Sequence, residues 1–132
     1  MAAETPIDCS SLADFQRLLN KYRGLEDRII FQLNASFTTR SFKDTKATNL
    51  ICHDIEEKLE SVRKLRSDLF NRCINENHEI VQKFKDDDSK FQLVRSANST
   101  LRQIRSEQAV DEIIHSQAER VVMERCKKEA LS

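Results

Sequence analysis

Residues that turn a chain are almost missing here: 132 residues include one glycine, Gly24, and one proline, Pro6. A sheet protein needs such residues at short intervals to reverse its strands, so the shortage excludes sandwiches and barrels and favours long helices. Tryptophan is absent, and the aromatics are seven Phe and one Tyr. With 39% of residues hydrophobic, the expected core is lean, though the length suits a single domain over residues 1–132. Apolar runs stop at about three or four residues, well short of a membrane span or a signal-peptide core. No sign of charge is in excess, with 22 Lys plus Arg against 22 Asp plus Glu, so there is no basic surface for general nucleic-acid binding. Glu4 lies near the N-terminus and no Arg precedes Arg17, a poor match to an Arg-rich, acid-poor matrix presequence. Catalytic constellations are missing too: no Gly-rich phosphate loop, no nucleophile with a base at helical spacing, and no Cys-x-x-Cys. The expectation is a non-enzymatic protein without a cofactor.

What the sequence does have is helical periodicity. Ser11-Leu12-Ala13-Asp14 reads as a capping box, with Asp where Glu or Gln is usual, and predicts a helix from about Leu12. Leu12, Phe15, Leu18, Leu19, Tyr22, Leu25, Ile29, Ile30 and Leu33 give its apolar stripe, which ends at Asn34. Ala35 to Lys46, rich in Thr and Ser, reads as a loop, with Phe37 and Phe42 tucked against the bundle. A central helix comes next, from Ala47 to about Lys85, its stripe formed by Ile51, Ile55, Leu59, Val62, Leu65, Leu69, Cys73, Ile80 and Phe84 and weakening at Asn77. Asp86-Asp87-Asp88-Ser89 marks a second break and caps the next helix. A third stripe runs through Phe91, Val94, Ala97, Leu101 and Ile104, falters at Glu107 and Gln108, and resumes as Val110, Ile113, Ile114, Ala118, Val121, Val122 and Cys126. That interruption predicts a kink or break near residues 106–109. Arg23 and Glu26-Asp27-Arg28 read as a charged outer face with ion pairs at helical spacing, and a partner would be sought there or at the first loop.

The four cysteines, Cys9, Cys52, Cys73 and Cys126, carry the most specific information. Cys52 and Cys73 lie 21 residues apart on one helix, about 31 Å of rise and about 60° of rotation, too far for a bond that needs Cα atoms within about 7 Å. Facing residues of an antiparallel helix pair lie symmetrically about the turn. The midpoint of Cys9 and Cys73 is residue 41, in the first loop, and that of Cys52 and Cys126 is residue 89, at the Asp-rich break. Cys9 with Cys52, or Cys73 with Cys126, would instead fold the chain inside a helix. The positions therefore favour Cys9–Cys73 and Cys52–Cys126, and an all-α, elongated antiparallel three-helix bundle braced by two disulfides. Reduced, buried thiols of a cytosolic coiled-coil adaptor stand beside that reading, because no secretory signal is apparent. A metal site fits poorly: His53 follows Cys52 directly, and adjacent helical residues point about 100° apart. His78 and His115 read as surface residues.

Asp14-Phe15-Gln16-Arg17-Leu18-Leu19, Arg23 with Glu26-Asp27-Arg28-Ile29-Ile30, Leu33-Asn34, the Cys52-to-Cys73 interval with Ile74, and Glu124-Arg125-Cys126 together resemble a known pattern. It is that of the mitochondrial intermembrane-space cysteine-motif proteins of the Mix twenty-three family, formerly called a coiled-coil domain-containing protein. The likeness spans nearly the whole chain. Glu26 stands where that family is expected to have Asp, and the residues after Cys126 differ from its longer basic-aromatic ending. The resemblance implies an intermembrane-space protein oxidised by the disulfide-relay oxidoreductase of that compartment. It also implies a supporting role in precursor import through the inner-membrane presequence translocase, whose components would be further partners. Insertion into the membrane is not implied. An oxidising compartment reached without a cleavable leader would reconcile the well-placed cysteines with the missing secretory signal. Relay substrates present a docking cysteine beside apolar neighbours, and Cys73, with Phe70, Leu69 and Leu65 upstream, fits that role.

Overall fold

Helices form wherever the sequence lacks turn residues. The computed structural model describes residues 7–38 and 45–131. Helix α1 spans Leu12–Thr38, α2 spans Thr45–Phe84, and α3 spans Phe91–Leu131, with a 3₁₀ turn at Asp88–Lys90. No strand occurs among the described residues. The chain is all-α, with three α-helices among the described residues and two disulfides.

The starts and stops have local causes. Ser11 Oγ accepts from the Asp14 amide at 3.2 Å, which satisfies one orphan N–H of the first turn. Asp14 does not complete the reciprocal arm of a capping box; its carboxylate pairs with Arg17. Just upstream, the Asp8 carboxylate accepts from the Ser10 hydroxyl and the Ser10 amide, at 2.6 and 2.9 Å. These bonds hold the Asp8 carboxyl below its ordinary pKa, the hydroxyl being the larger cause. The same Asx turn recurs after α2. Asp87 accepts from the Ser89 hydroxyl and amide, at 2.6 and 3.0 Å, and its pKa is lowered for the same reason. Lys83 and Lys90 place their ammonium groups 5.2 and 5.7 Å from the Phe84 ring centroid, closing the break over an aromatic face.

Two expectations about element ends are corrected. Helix α1 does not stop at Asn34 but continues to Thr38. Phe37 lies one turn beyond Leu33 and both are buried, while the Ser36 hydroxyl donates to the Gln32 carbonyl at 2.9 Å instead of opening the turn. Helix α2 likewise begins at Thr45, because Thr48 extends its buried side upstream. Residues 39–44, with Phe42, lie outside the described residues.

The chain divides into two compact units, each drawing on all three helices: Met1–Asn20 with Arg66–Val110, and Lys21–Leu65 with Asp111–Ser132. In the first unit the core holds Phe15, Leu19, Leu69, Phe70, Leu101 and Ile104. Phe15 and Phe70 meet with ring centroids 5.6 Å apart at an interplanar angle of 58°, an edge-tilted aromatic pair. In the second unit Tyr22, Ile29, Leu33, Ile55, Leu59 and Val122 are buried, and Arg23 faces Asp111 at 3.6 Å. Gly24 sits inside α1 with nothing within 4 Å of the place a Cβ would occupy. Gly24→Ala is therefore expected to stabilise the fold by about 1 kcal/mol. A raised thermal midpoint checks this; a lowered one would mean that the added methyl meets an obstacle.

The break expected near residues 106–109 does not exist, since α3 is one uninterrupted helix. Thr100 apart, its buried positions, Ala97, Leu101, Ile104, Asp111, His115, Ala118, Val122 and Glu129, keep helical steps of three, four or seven residues. The series passes through polar residues in mid-helix, while Val110, Ile113 and Val121 lie exposed beside it. The interruption is a change of chemistry at constant register. Glu26 is a second correction of the same kind. It is 3% exposed, on the series Tyr22, Glu26, Ile29, Leu33, and is not part of a charged outer face, although Asp27 and Arg28 are exposed.

Candidate functional site

The two sulfur bridges are the chemically distinctive feature, and each is set by helix register. In the first unit, Cys9 lies in the turn before α1 and Cys73 in the C-terminal half of α2, so these segments run antiparallel. Their sulfurs are bonded, with Cα atoms 4.9 Å apart. In the second unit, Cys52 near the start of α2 is bonded to Cys126 near the end of α3, with Cα atoms 6.2 Å apart. Both spacings fall in the range of about 4.4–6.8 Å that disulfides occupy. This is the pairing the loop midpoints favour. It places Cys9, Cys52 and Cys73 in the interior and leaves Cys126 half-buried.

The bridge at Cys9 is built into a polar clamp. Asn77, one turn after Cys73 and 1% exposed, donates through Nδ2 to the Cys9 carbonyl at 2.8 Å and to the Cys73 carbonyl at 2.9 Å. One side chain thus holds the backbone on both ends of the disulfide. Arg72 adds a bond to the Ile7 carbonyl at 2.9 Å and pairs with Glu76 at 2.9 Å. The incoming segment is therefore fixed by charge-assisted hydrogen bonds as well as sulfur. The sequence carries a signal for Asn77, but one that points the wrong way. A polar residue on the stripe reads as the stripe weakening, whereas it is the part of the stripe that faces a backbone without helical partners.

The second bridge has an aromatic and ionic setting. The Arg125 guanidinium lies 5.5 Å from the Phe37 ring centroid, and its Nε is 3.4 Å from Glu129. Residue 125 thus ties the end of α3 to the end of α1, next to Cys126. Among the described residues no cysteine is free, so no thiolate is at hand for exchange in this state.

The other residues noted in the sequence fall apart in space. His53 is exposed and pairs with Glu57 at 3.2 Å, and His78 is exposed. His115 is buried, not a surface residue, because it lies on the inward series of α3. Among the described residues no three His, Cys, Asp or Glu side chains are grouped so as to hold a metal ion. Asp86 and Asp88 are exposed beside the capping Asp87. Phe70 and Leu69, upstream of Cys73, are buried with it. No helix among the described residues is long and apolar enough to cross a membrane. No protein-family model matches this chain, and no solved structure matches it.

Proposed function

We propose that this chain is a disulfide-braced helical accessory protein of the mitochondrial intermembrane space, of the Mix twenty-three kind. In this reading it is a substrate of that compartment's disulfide relay and supports import through the presequence translocase of the inner membrane. The observation that carries the reading is the pair of bridges between helices, Cys9–Cys73 and Cys52–Cys126, each joining distant parts of the chain. Structural disulfides persist only where the surroundings are oxidising. The relay oxidoreductase would act before the helices close, since Cys73 is fully enclosed once bonded. Cys73 would serve as the docking thiol, on a helical face shared with Leu69 and Phe70. Each bridge formed passes two electrons and two protons from a thiol pair to the relay. In the finished protein the bridges brace a coiled-coil-like bundle that acts by contact and not by catalysis.

Fractionation and mass spectrometry test this together. After thiol blocking in intact mitochondria, non-reducing peptide mapping should recover both cross-linked peptide pairs. External protease should reach the protein only after the outer membrane is ruptured. Depletion should slow the import of presequence-bearing precursors. Cytosolic recovery with every cysteine alkylated would instead establish the reduced adaptor and end the proposal.

A further inference from the structure

In the second unit a groove of about 380 Å³ runs between α2 and α3, within the size range of ligand pockets. Leu59, Val122 and Met123 supply its apolar surface, Met123 being 64% exposed. Three carboxylates, Glu56, Glu60 and Glu119, line it, and all three residues are exposed. The remaining lining residue is His115, only 4% exposed. Its Nε2 lies 3.1 Å from a Glu119 carboxylate oxygen, yet neither ring nitrogen makes a hydrogen bond among the described residues. The three carboxylates can only accept, and no lining residue brings a fixed positive charge.

We propose that this groove is a docking site for a cationic amphipathic helix of a partner protein. An apolar residue of that helix would cover Met123, Leu59 and Val122. Flanking Lys or Arg side chains would reach the three carboxylates. Helix-in-groove recognition of this kind takes its affinity from the apolar anchor and its sign preference from the rim. Two nearby arginines are engaged outside the groove, Arg63 facing Glu112 at 3.9 Å and Arg120 pairing with Glu124 at 3.1 Å. A single metal ion is a poor occupant, since no metal-holding group of side chains exists among the described residues. The groove between α1 and α2 beside Phe31 carries no such preference, because its acid, Asp54, is paired with its base, Lys58, at 3.0 Å.

The proposal does not rest on the import reading, although matrix presequences are amphipathic, Arg-rich and acid-poor. A purified, oxidised full-length chain suffices to test it. The probe is a labelled peptide of Leu, Ala and Arg, about 18 residues or five turns long, with its leucines on one stripe. Fluorescence anisotropy should show saturable binding that weakens as salt rises. Glu56→Gln, Glu60→Gln and Glu119→Gln together should raise Kd about tenfold, and Met123→Asp should do at least as much. All four positions are exposed, and an unchanged thermal midpoint shows that each variant is folded. Equal binding by the triple variant, by a shuffled peptide without the stripe, or by a peptide with Glu in place of Arg would overturn the proposal. So would a dimer in solution that Met123→Asp dissolves, which would give the groove to a second copy. Failure here leaves the fractionation result intact, and failure there leaves this one.

Discussion

Cys52→Ser combined with Cys126→Ser is expected to lower the thermal midpoint by roughly 10–20 °C, and Cys9→Ser with Cys73→Ser should do about the same. The cysteines of the two bridges are separated by 74 and 64 residues, respectively. In the chain-entropy account a cross-link of that span removes about 4 kcal/mol of freedom from the unfolded chain. Total stability for a domain is about 5–15 kcal/mol, so one bridge is a large share of it. The two spans overlap in sequence, and a chain already closed by one bridge has less freedom for the other to remove. Full reduction should therefore cost less than the sum of the two pairs. Each bridge also lies within a single compact unit. Hydrogen exchange in the Cys52–Cys126 variant should accelerate first in residues 45–65 and 111–131, and in the Cys9–Cys73 variant first in residues 66–84. Circular dichroism melts with and without reductant provide the main measurement. A midpoint indifferent to reductant would show that sulfur closes these helices without stabilising them.

The three helices and the cysteine pairing are legible in the sequence because both depend on positions along the chain. Apolar spacing marks a helix wherever it is dense, and a pair of cysteines centred on a loop needs no side-chain detail. What cannot be read this way is where the interior turns polar. Arg66 is fully buried, one turn after Val62 and three residues before Leu69, yet an arginine gives no apolar signal and the apolar stripe passes through Leu65 instead. Glu26, Asp111, His115 and Asn77 escape for the same reason. Buried polar side chains of this kind need partners that come from other helices, and partners are invisible to periodicity. Register would have found them. Phe70 apart, the buried positions of α2, Thr48, Cys52, Ile55, Leu59, Val62, Arg66, Leu69, Cys73 and Asn77, step by three or four residues. The 21-residue interval between its cysteines is three such heptads, so both thiols belong to one inward series, and the rotation expected of an ideal straight helix is not the quantity that matters. Continuing a series through a polar residue, instead of restarting it at the next apolar one, places His115 in the groove and removes the supposed break in α3.

Asn77→Asp is expected to be more costly than a one-atom change suggests, and its cost should depend on pH. In the native protein the amide nitrogen donates to two carbonyls, those of Cys9 and Cys73. Ionised aspartate has no donor and would set a negative charge against both oxygens in an enclosed site. An unpaired buried charge and two deprived acceptors imply a loss of about 4 kcal/mol at neutral pH. The protonated acid keeps one O–H and can serve one carbonyl. Burial and the facing oxygens therefore raise the folded-state pKa of the introduced carboxyl above the unfolded value of about 3.9. For a raised folded pKa the sign is fixed: the acid form is favoured by folding, so the variant is least impaired below the unfolded pKa. It then loses stability relative to wild type as pH rises through the interval to the folded pKa. Asn77→Ala removes the clamp without adding a titrating group, and its deficit should be smaller and flat across the same interval. Denaturant melts of wild type and both variants at matched pH values, taken as differences so that other carboxyls cancel, give the comparison. If the Asn77→Asp deficit were as flat as that of Asn77→Ala, the two carbonyls would not be held by this amide, and the Cys9 segment would depend on sulfur and on Arg72 alone.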